Sequence, residues 1–418
     1  MIEEFHRVKR LPPYVFAEVN RLKAAARARG ADIIDLGMGN PDMPTPAHIV
    51  EKLTETVAKH RTNRYSASKG IPGLRRAQAA YYARRFGVKL NAETQVVATL
   101  GSKEGFANMA QAITAPGDVL LVPNPTYPIH EFGFIISGAA IRHIPMLASQ
   151  SRLGATDAET EFLRGVERAV KHSIPRPLAV VLSYPSNPTA MTVGLDFYVE
   201  MVQLAKRLDL IILSDLAYAE IYFDDNPPPS VLQVPGAVDV TVEFTSLSKT
   251  YAMPGWRMGF AVGNERLIAA LARIKSYLDY GAFTPIQVAA AAALNGPQDC
   301  VDEIRATYKS RRDCLVESFG RAGWSVPPPP ASMFAWAPIP EPYREIGSVE
   351  FSKLLVEKAD VAVSPGLGFG EYGEGYVRIA LVENEHRIRQ AARSIKKFLA
   401  RPPETMHNVI PIPQKASR

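Results

Sequence analysis

Seven short apolar runs, rich in β-branched residues, follow one another between residues 94 and 262 and constrain the architecture of this part of the chain. Most of them end at Gly, Pro or a polar residue, and several are followed by a helical pattern, which is typical of an α/β domain. Several are apolar without alternation, as expected for parallel strands covered by helices on both faces. The sequence therefore predicts a central, mostly parallel sheet from residues 96–100, 119–122, 141–145, 178–182, 210–213, 240–244 and 258–262.

The pattern changes after the last of these runs. A helical pattern begins near Asn264 and stops at the Thr284–Pro285 break, which is a candidate domain boundary. A helix-rich segment follows, and the proline-rich residues 327–330 separate it from a final α+β section with a strand candidate at residues 377–381. The tail after Pro402 mixes proline with polar residues without periodicity, so we expect it to be extended or disordered.

Composition restricts the partners and the compartment. Lys and Arg exceed Asp and Glu by six, but both signs are interspersed, so a nucleic-acid partner is not expected. The two cysteines, Cys300 and Cys314, form neither a metal or redox motif nor a disulfide framework, which favours a reducing cytoplasm. The N-terminus lacks a secretion signal and no run is long enough to cross a bilayer. We therefore expect a cytoplasmic protein with no metal site and no membrane partner.

Polar residues follow five of the predicted strands. In a doubly wound sheet, ligands bind outside the carboxyl ends of the strands, so these residues are expected to meet at one site. They are Gly101, Ser102 and Lys103, then Asn124, Pro125, Thr126 and Tyr127, then Asn187, then Asp215 and Tyr218, and finally Ser246, Ser248 and Lys249.

The run SLSKTYAMPGWRMG, residues 246–259, resembles the lysine motif of class I and II aminotransferases, which are pyridoxal-phosphate enzymes of fold type I. By this resemblance, Lys249 is the amine that bonds to the cofactor's aldehyde. A lysine in a cationic, partly dry site can have its pKa lowered enough to do so, and the released amine can then move a proton at the substrate α-carbon. An isolated lysine after a strand would usually be a solvated surface residue. Here the motif agrees at every restricted position, namely Ser246, Ser248, Lys249, Gly255, Arg257 and Gly259.

The same resemblance places four more residues around the cofactor ring. Asp215 ends the run LDLIILSD and would keep the ring nitrogen protonated, so that the cofactor acts as an electron sink. Tyr218 and Asn187 would hydrogen-bond the phenolic oxygen. Tyr127 in NPTYP matches the aromatic residue that stacks on the ring, although an aromatic at a strand end is more often part of a core. Taken alone, Asp215 could instead cap a helix and Asn187 could form an Asx turn.

A phosphate site is predicted at GSKEG, residues 101–105, which lies between a strand and a helix expected to begin near Phe106. A phosphate needs backbone amides at a helix start together with fixed cations. A glycine-rich turn is weak evidence by itself. The resemblance assigns the phosphate to Ser102, the Lys103 amide, Ser246, Ser248 and Arg257.

Substrate and partner residues follow from three further matches. Arg378 in YVRIAL resembles the arginine that binds the α-carboxylate with its guanidinium fork, for which a structural salt bridge is the alternative. Gly39 and Asn40 in GMGNPD resemble the N-terminal substrate segment, and Asn187 would also contact the substrate. Tyr65 in YSASKG matches a tyrosine that reaches the phosphate of the neighbouring subunit. The resemblance therefore implies a homodimer with shared active sites.

The likeness extends from about residue 10 to residue 399. It implies an N-terminal arm and part of a small domain in residues 1–44, a large domain with a mainly parallel seven-stranded sheet in residues 45–285, a small α+β domain in residues 286–400 and the tail 401–418. Runs such as RLPPYVF and YSASKGIPGLRRA look most like bacterial alanine (glutamate–pyruvate) aminotransferases, which act on amino acids and 2-oxo acids. Aspartate, diaminopimelate and methionine aminotransferases share the framework and stay open, as does a non-catalytic regulator that binds the cofactor.

Alanine and glutamate place conflicting demands on the pocket for the substrate side chain. A fixed cation for the glutamate carboxylate would be left buried and unpaired when alanine binds, which is costly. We therefore expect hydroxyl, amide or water contacts there, or a mobile arginine, rather than a permanently buried cation.

Overall fold

The N-terminal part of the chain forms short elements that precede the main sheet. The computed structural model describes residues 5–12, 15–146 and 157–400, so the prediction for the tail 401–418 lies outside the described residues. The first elements are α1 (His6–Lys9), α2 (Phe16–Ala28), β1 (Ile34–Asp35), α3 (Ala47–Val57) and α4 (Pro72–Phe86).

A seven-stranded sheet forms the centre of the large part of the molecule, and each predicted run supplies one of its strands. The strand order is β2-β8-β7-β6-β5-β3-β4. The strands are β2 (Val96–Thr99), β3 (Val119–Asn124), β4 (Ala140–Pro145), β5 (Pro177–Ser183), β6 (Ile211–Asp215), β7 (Thr241–Ser246) and β8 (Gly259–Gly263). The intervening helices are α5 (Ser102–Ile113), α6 (Ile129–Ser137), α7 (Ala158–Lys171), α8 (Leu195–Arg207), α9 (Leu247–Thr250) and α10 (Glu265–Leu278).

Strand β8 runs antiparallel to both of its neighbours, β2 and β7, whereas the other neighbouring strands are parallel. A parallel connection has to carry the chain back along the full length of the sheet, usually in a long crossover helix. The link between β7 and β8 contains the four-residue helix α9 and a short turn, so the chain re-enters the sheet from the edge at which it left. The prediction of a mainly parallel sheet is confirmed, and the run at residues 258–262 is its exception.

The last part of the chain builds two small sheets with the N-terminal segment. Strands β11, β12 and β9 form an antiparallel sheet in that order, and β1 pairs in parallel with β10. The elements here are α11 (Thr284–Asn295), α12 (Asp299–Arg321), β9 (Phe334–Pro338), α13 (Gly347–Ala359), β10 (Val361–Ala362), β11 (Ser364–Pro365), β12 (Tyr376–Ala380) and α14 (Glu385–Leu399).

Separate hydrophobic clusters stabilise the two parts. Two of them cover the faces of the large sheet, and a third joins α12, α14 and the small antiparallel sheet. Helix α11 packs against α3 and α4, and its residues Ala289, Ala290 and Ala293 belong to a cluster of the large sheet. The domain bounds, including a boundary at residue 285, stay a prediction.

The register of the sheets decides which residues can meet. Strands β5, β6 and β7 end side by side, with Ser183 opposite Asp215 and Asp215 opposite Phe244. In the small sheet, Ser364 of β11 lies opposite Arg378 of β12.

Within the described ranges, no helix combines the length and the apolar character needed to cross a bilayer.

Candidate active site

A cavity of about 300 Å³ lies at the carboxyl edge of the large sheet, and its walls come from three distant parts of the chain. Helix α2 and the segment after it form one wall, the large sheet forms the second, and β9, β11 and β12 with their loops form the third. The structure brings together most of the residues that the sequence singled out. They are Gly39, Ser102, Lys103, Tyr127, Asn187, Asp215, Tyr218, Ser246, Ser248, Lys249, Arg257 and Arg378.

Lys249 places its amine in this cavity because α9 begins directly after β7, with Ser246 as its N-cap. The Nζ atom donates a hydrogen bond to the Gly39 carbonyl at 3.3 Å. Burial, followed by the positive charges of Arg378 and Arg257, lowers the pKa of Lys249 to about 8. Near neutral pH a useful fraction of this amine is therefore uncharged and able to act as a nucleophile.

Asp215 lies at the end of β6, and both of its carboxylate oxygens are held. Oδ2 is 2.8 Å from Nε2 of His130, and Oδ1 accepts a hydrogen bond from the Ala217 amide at 3.1 Å. The other ring nitrogen of His130 is 2.8 Å from the Thr126 hydroxyl, and the imidazole is completely buried. The alternative role as a helix cap is not observed, because residues 217–220 form a turn rather than a helix. The contact of Oδ1 with the Ala217 amide closes this turn while Asp215 lies on the cavity wall.

Tyr218 and Asn187 lie on the same part of the wall, within reach of Arg378. Burial raises the pKa of Tyr218 although Arg378 opposes this, so the phenol stays protonated and can donate a hydrogen bond. The side-chain oxygen of Asn187 accepts a hydrogen bond from Nη1 of Arg378 at 2.8 Å. Asn187 thus connects the predicted cofactor residues with the predicted substrate arginine.

The predicted phosphate site is the N-terminus of α5, and this helix begins at Ser102 rather than near Phe106. The earlier start depends on Gly101, whose φ of +88° lets the chain turn directly from β2 into the helix. A side chain at Gly101 would also collide with the guanidinium of Arg257, which donates to the Leu100 carbonyl at 3.2 Å. A helix N-terminus and a fixed guanidinium therefore lie together, as an anion requires.

Arg378 crosses from the small sheet to the cavity and is only 7% exposed. Its Nη2 atom donates to the Gly37 carbonyl at 3.1 Å, and its guanidinium lies over the rings of Phe334 and Phe369, 4.0 and 4.7 Å from their centres. A side chain at Gly39 would collide with Phe334. Residue 39 can therefore lie this close to the Phe334 ring only as glycine.

Asn40 and Tyr65 do not join the other predicted residues. Asn40 is exposed and is not part of the cavity wall. Tyr65 is 86% exposed, and its ring packs against Tyr280 with the ring centres 4.6 Å apart. Its predicted contact with a neighbouring subunit concerns a second chain, so the roles of both residues stay predictions.

Sequence reasoning missed His130 and an ion pair between Lys23 and Asp35. His130 follows Tyr127 by three residues, and only the fold shows that its ring points at Asp215. Lys23 on α2 and Asp35 on β1 line the cavity 2.7 Å apart. Burial raises the pKa of Asp35, but the hydrogen bond and charge of Lys23 outweigh it and hold this pKa below its usual value. Lys23 is thus a largely buried but paired cation on the cavity wall, and the expectation for the substrate side-chain pocket stays a prediction.

Comparisons with known proteins agree with this geometry. The family described as aminotransferase class I and II matches residues 31–395. A glutamate–pyruvate aminotransferase, AlaC, of Escherichia coli is 53% identical over 94% of this chain and 93% of its own, and a putative aminotransferase, AatC, of Rhizobium meliloti is 73% identical over 98% of both chains. The substrate-bound structure of BacF from Bacillus subtilis covers 95% of this chain and 98% of its own, with a TM-score of 0.88 and 33% identity.

The chain belongs to the class I and II aminotransferase family. It is a pyridoxal-phosphate-dependent aminotransferase of fold type I, built on a mainly parallel seven-stranded sheet.

The residues on the cavity wall fit this cofactor. A buried amine whose pKa is about 8, a carboxylate held by a buried histidine, and a helix N-terminus beside a guanidinium are the three functions that its aldehyde, ring nitrogen and phosphate need. Each function comes from a different place on the sheet edge, namely α9, β6 and α5. Lys249, Asp215 and Arg257 are therefore the residues that would hold the cofactor.

Proposed function

We propose that this enzyme transfers an amino group between alanine and 2-oxoglutarate, giving pyruvate and glutamate. The observation that carries this choice is the 53% identity to the glutamate–pyruvate aminotransferase of Escherichia coli, against 41% to an LL-diaminopimelate aminotransferase of Moorella thermoacetica. Both comparisons cover more than nine-tenths of each chain. The cytoplasm is part of the proposal and is supported by two cysteines that form no disulfide.

In this proposal, Arg378 binds and orients the substrate's α-carboxylate. Its guanidinium fork suits a planar carboxylate, and its contacts with Asn187, Gly37 and two aromatic rings hold it in one place. Retention of this carboxylate favours transfer of the amino group over loss of carbon dioxide. The aromatic rings also exclude water from the reacting α-carbon, which strengthens the electrostatic contacts within the site.

Lys249 holds or moves the proton at the substrate α-carbon in this proposal. Its amine would hold the cofactor, and the same amine can act as a general base and acid at the substrate α-carbon. The bound cofactor supplies an electron sink for the bond that breaks at this carbon. Asp215 keeps a negative charge beside the ring nitrogen, and His130 fixes the direction of that carboxylate.

A homodimer with shared sites is also part of the proposal. It is supported by the exposed aromatic pair Tyr65 and Tyr280, because exposed side chains of this size are often covered by a partner. Co-expression of Lys249→Ala and Tyr65→Phe chains tests it. If Tyr65 completes the partner's site, the heterodimer contains one intact site and is more active than either parent. Activity of no more than half that of the Tyr65→Phe parent contradicts sharing.

The substrate choice is tested by comparing kcat/KM for alanine, glutamate, aspartate, methionine and LL-diaminopimelate. We expect alanine and glutamate to have the highest kcat/KM values of the five. A preference of tenfold or more for aspartate, methionine or diaminopimelate, about 1.4 kcal/mol of transition-state binding, contradicts the alanine assignment and leaves the aminotransferase class intact. A protein that binds the cofactor but turns over none of the five amino acids would instead be a regulator.

A further inference from the structure

The ion pair between Lys23 and Asp35 lies on the cavity wall without a task in the chemistry described above. The side chains are only 11% and 17% exposed, and Nζ of Lys23 is 2.7 Å from Oδ2 of Asp35. Arg27, which is half exposed, approaches the same oxygen at 3.4 Å. A charged pair that is largely removed from water on the wall of a binding cavity is costly to desolvate, so it suggests a role in binding.

Of the other four cations on the wall, Arg257, Arg378 and Lys249 have a role in the proposed chemistry, and Lys103 does not. Arg257 lies at the N-terminus of α5, Lys103 lies 5.8 Å from the ring centre of Tyr127, and Arg378 faces the α-carboxylate position. Lys249 attaches the cofactor. Among the described residues that line the cavity, Lys23 and Lys103 are therefore the two cations whose side chains have no role in the chemistry above, and the contacts of Lys23 decide between them.

Backbone contacts connect Lys23 with the substrate side of the cavity rather than the phosphate side. Asp35 accepts hydrogen bonds from the amides of Gly37 and Met38 at 3.2 and 3.4 Å. The carbonyl of Gly37 in turn accepts a hydrogen bond from Arg378 at 3.1 Å. Gly37 thus links the Lys23–Asp35 pair to Arg378, the arginine proposed to bind the α-carboxylate.

We propose that Lys23 binds the side-chain carboxylate of the five-carbon substrates glutamate and 2-oxoglutarate, and that Asp35 neutralises Lys23 when alanine or pyruvate is bound. The proposal rests on the proposed function, because it explains how one pocket accepts both a methyl group and a carboxylate.

The chemistry of the two partners supports this exchange. An ammonium group has three donors, of which Asp35 occupies one, so Lys23 can bind a substrate carboxylate without leaving its partner. When a methyl group occupies the pocket instead, the pair remains closed and no buried charge is left unpaired. If Lys23 turns toward the substrate, the positive charge of Arg27 still balances the negative charge of Asp35.

The first test compares Lys23→Met with the matched control Arg21→Met in the holoenzyme. Both remove one positive charge from α2, but Arg21 is exposed and is not part of the cavity wall. Losing a charge-assisted hydrogen bond predicts that Lys23→Met lowers the ratio of kcat/KM for glutamate to that for alanine by roughly ten- to a hundredfold, mainly through KM. Arg21→Met should leave this ratio unchanged, and Lys23→Arg should retain most of it.

A second variant separates recognition from structural damage. In Lys23→Met, Asp35 keeps Arg27 as an ion-pair partner. Lys23→Met/Asp35→Asn removes both charges of the pair and keeps a side-chain oxygen that can accept the hydrogen bond from the Gly37 amide. The double variant should show the same loss of the glutamate-to-alanine ratio. A ratio within threefold of wild type in both variants overturns the proposal.

Binding of substrate analogues to the wild-type holoenzyme and to Lys23→Met tests the proposal without measuring turnover. Glutarate carries two carboxylates and pentanoate carries one on a chain of the same length. We expect glutarate to bind at least tenfold more tightly, and equal dissociation constants overturn the role of Lys23. If alanine is not a substrate, the proposed function fails, but the comparison of glutarate with pentanoate in the wild type and in Lys23→Met still decides whether Lys23 binds a distal carboxylate.

Discussion

The two ends of the cavity are built in different ways. The proposed cofactor end uses residues between 102 and 257 that lie at or near the ends of strands of one sheet, so the pairing of these strands brings Ser102, Asp215 and Lys249 together. The substrate end joins α2, the segment after β1 and the small antiparallel sheet, so Lys23 and Arg378 come from opposite ends of the chain.

We expect this difference to separate a part of the site that the cofactor constrains from a part that sets the choice of substrate. A double mutant of the aspartate aminotransferase of Thermus thermophilus shares the fold with a TM-score of 0.85 at 27% identity, whereas a relative at 41% identity is named an LL-diaminopimelate aminotransferase. The cofactor demands one arrangement of amine, carboxylate and anion site, while a substrate side chain can be accommodated by changing loops and a short helix. We therefore expect substitutions at the cofactor end to reduce turnover of all substrates, and substitutions at the substrate end to change their ranking.

Lys249→Ala should have the largest effect. Loss of proton transfer by the amine alone predicts a fall in kcat of roughly 10²–10⁴-fold for every substrate, and loss of cofactor attachment adds to it. The measurement is turnover together with borohydride reduction followed by peptide mapping. The exposed Lys397→Ala serves as control. Labelling of a lysine other than Lys249 in the wild-type enzyme would contradict the assignment.

Asp215→Ala should retain some cofactor but lose most turnover. Losing a buried ion partner costs about 3–5 kcal/mol, which corresponds to roughly two to four powers of ten if it appears in the barrier. The loss should be equal for alanine and glutamate, because Asp215 acts on the cofactor. The control is Asp209→Ala, an exposed carboxylate before the same strand. Turnover near that of wild type would refute the role of Asp215.

Arg378→Lys keeps the charge but removes the fork, and it should raise KM for every substrate. A lost charge-assisted hydrogen bond costs about 1.5–3 kcal/mol, or roughly ten- to a hundredfold. The ratio of glutamate to alanine should change little, in contrast to Lys23→Met. Steady-state kinetics with both amino acids provide the measurement. A large change in that ratio would mean that the two carboxylate positions are reversed.

The pKa of Lys249 predicts a smaller, pH-dependent effect. Because the pKa is lowered, the uncharged fraction of the Lys249 amine increases as the pH rises through about 8. At that pH about half of the amine is uncharged, whereas only about 0.3% of an ordinary lysine is uncharged at the same pH. Covalent capture of pyridoxal phosphate by the cofactor-free protein should therefore accelerate up to about pH 8 and level off above it. The control is a lysine derivative in solution. A midpoint near 10.5 would contradict the effect of burial and of Arg378.

Much of the cofactor end could be predicted because it depends on local patterns. Each of the seven runs became a strand of one sheet, and most of the polar residues predicted at the ends of five of them line one cavity, as the ends of parallel strands require. The start of α5 was predicted incorrectly, and the prediction of a mainly parallel sheet did not say which strand would be antiparallel. Both depend on a short connection, through α9 in one case and through the positive φ of Gly101 in the other.

The substrate end could not be predicted to the same extent. Arg378 was recognised from its motif, but its contacts with Asn187 and Gly37 join residues that are 191 and 341 positions apart. Lys23 and Asp35 lie in no motif, and α2 alone would suggest a solvated lysine. His130 was missed for the same reason, because its partner Asp215 is 85 residues away.

The sequence by itself determined the strand composition, the lysine motif and the family of this enzyme, since apolar patterns and contiguous motifs act over a few residues. Only the tertiary structure decided which charges are paired and which face the cavity. Burial and ion pairing depend on what packs against a side chain, and for Lys23, Asp215 and Arg378 those neighbours come from distant parts of the chain.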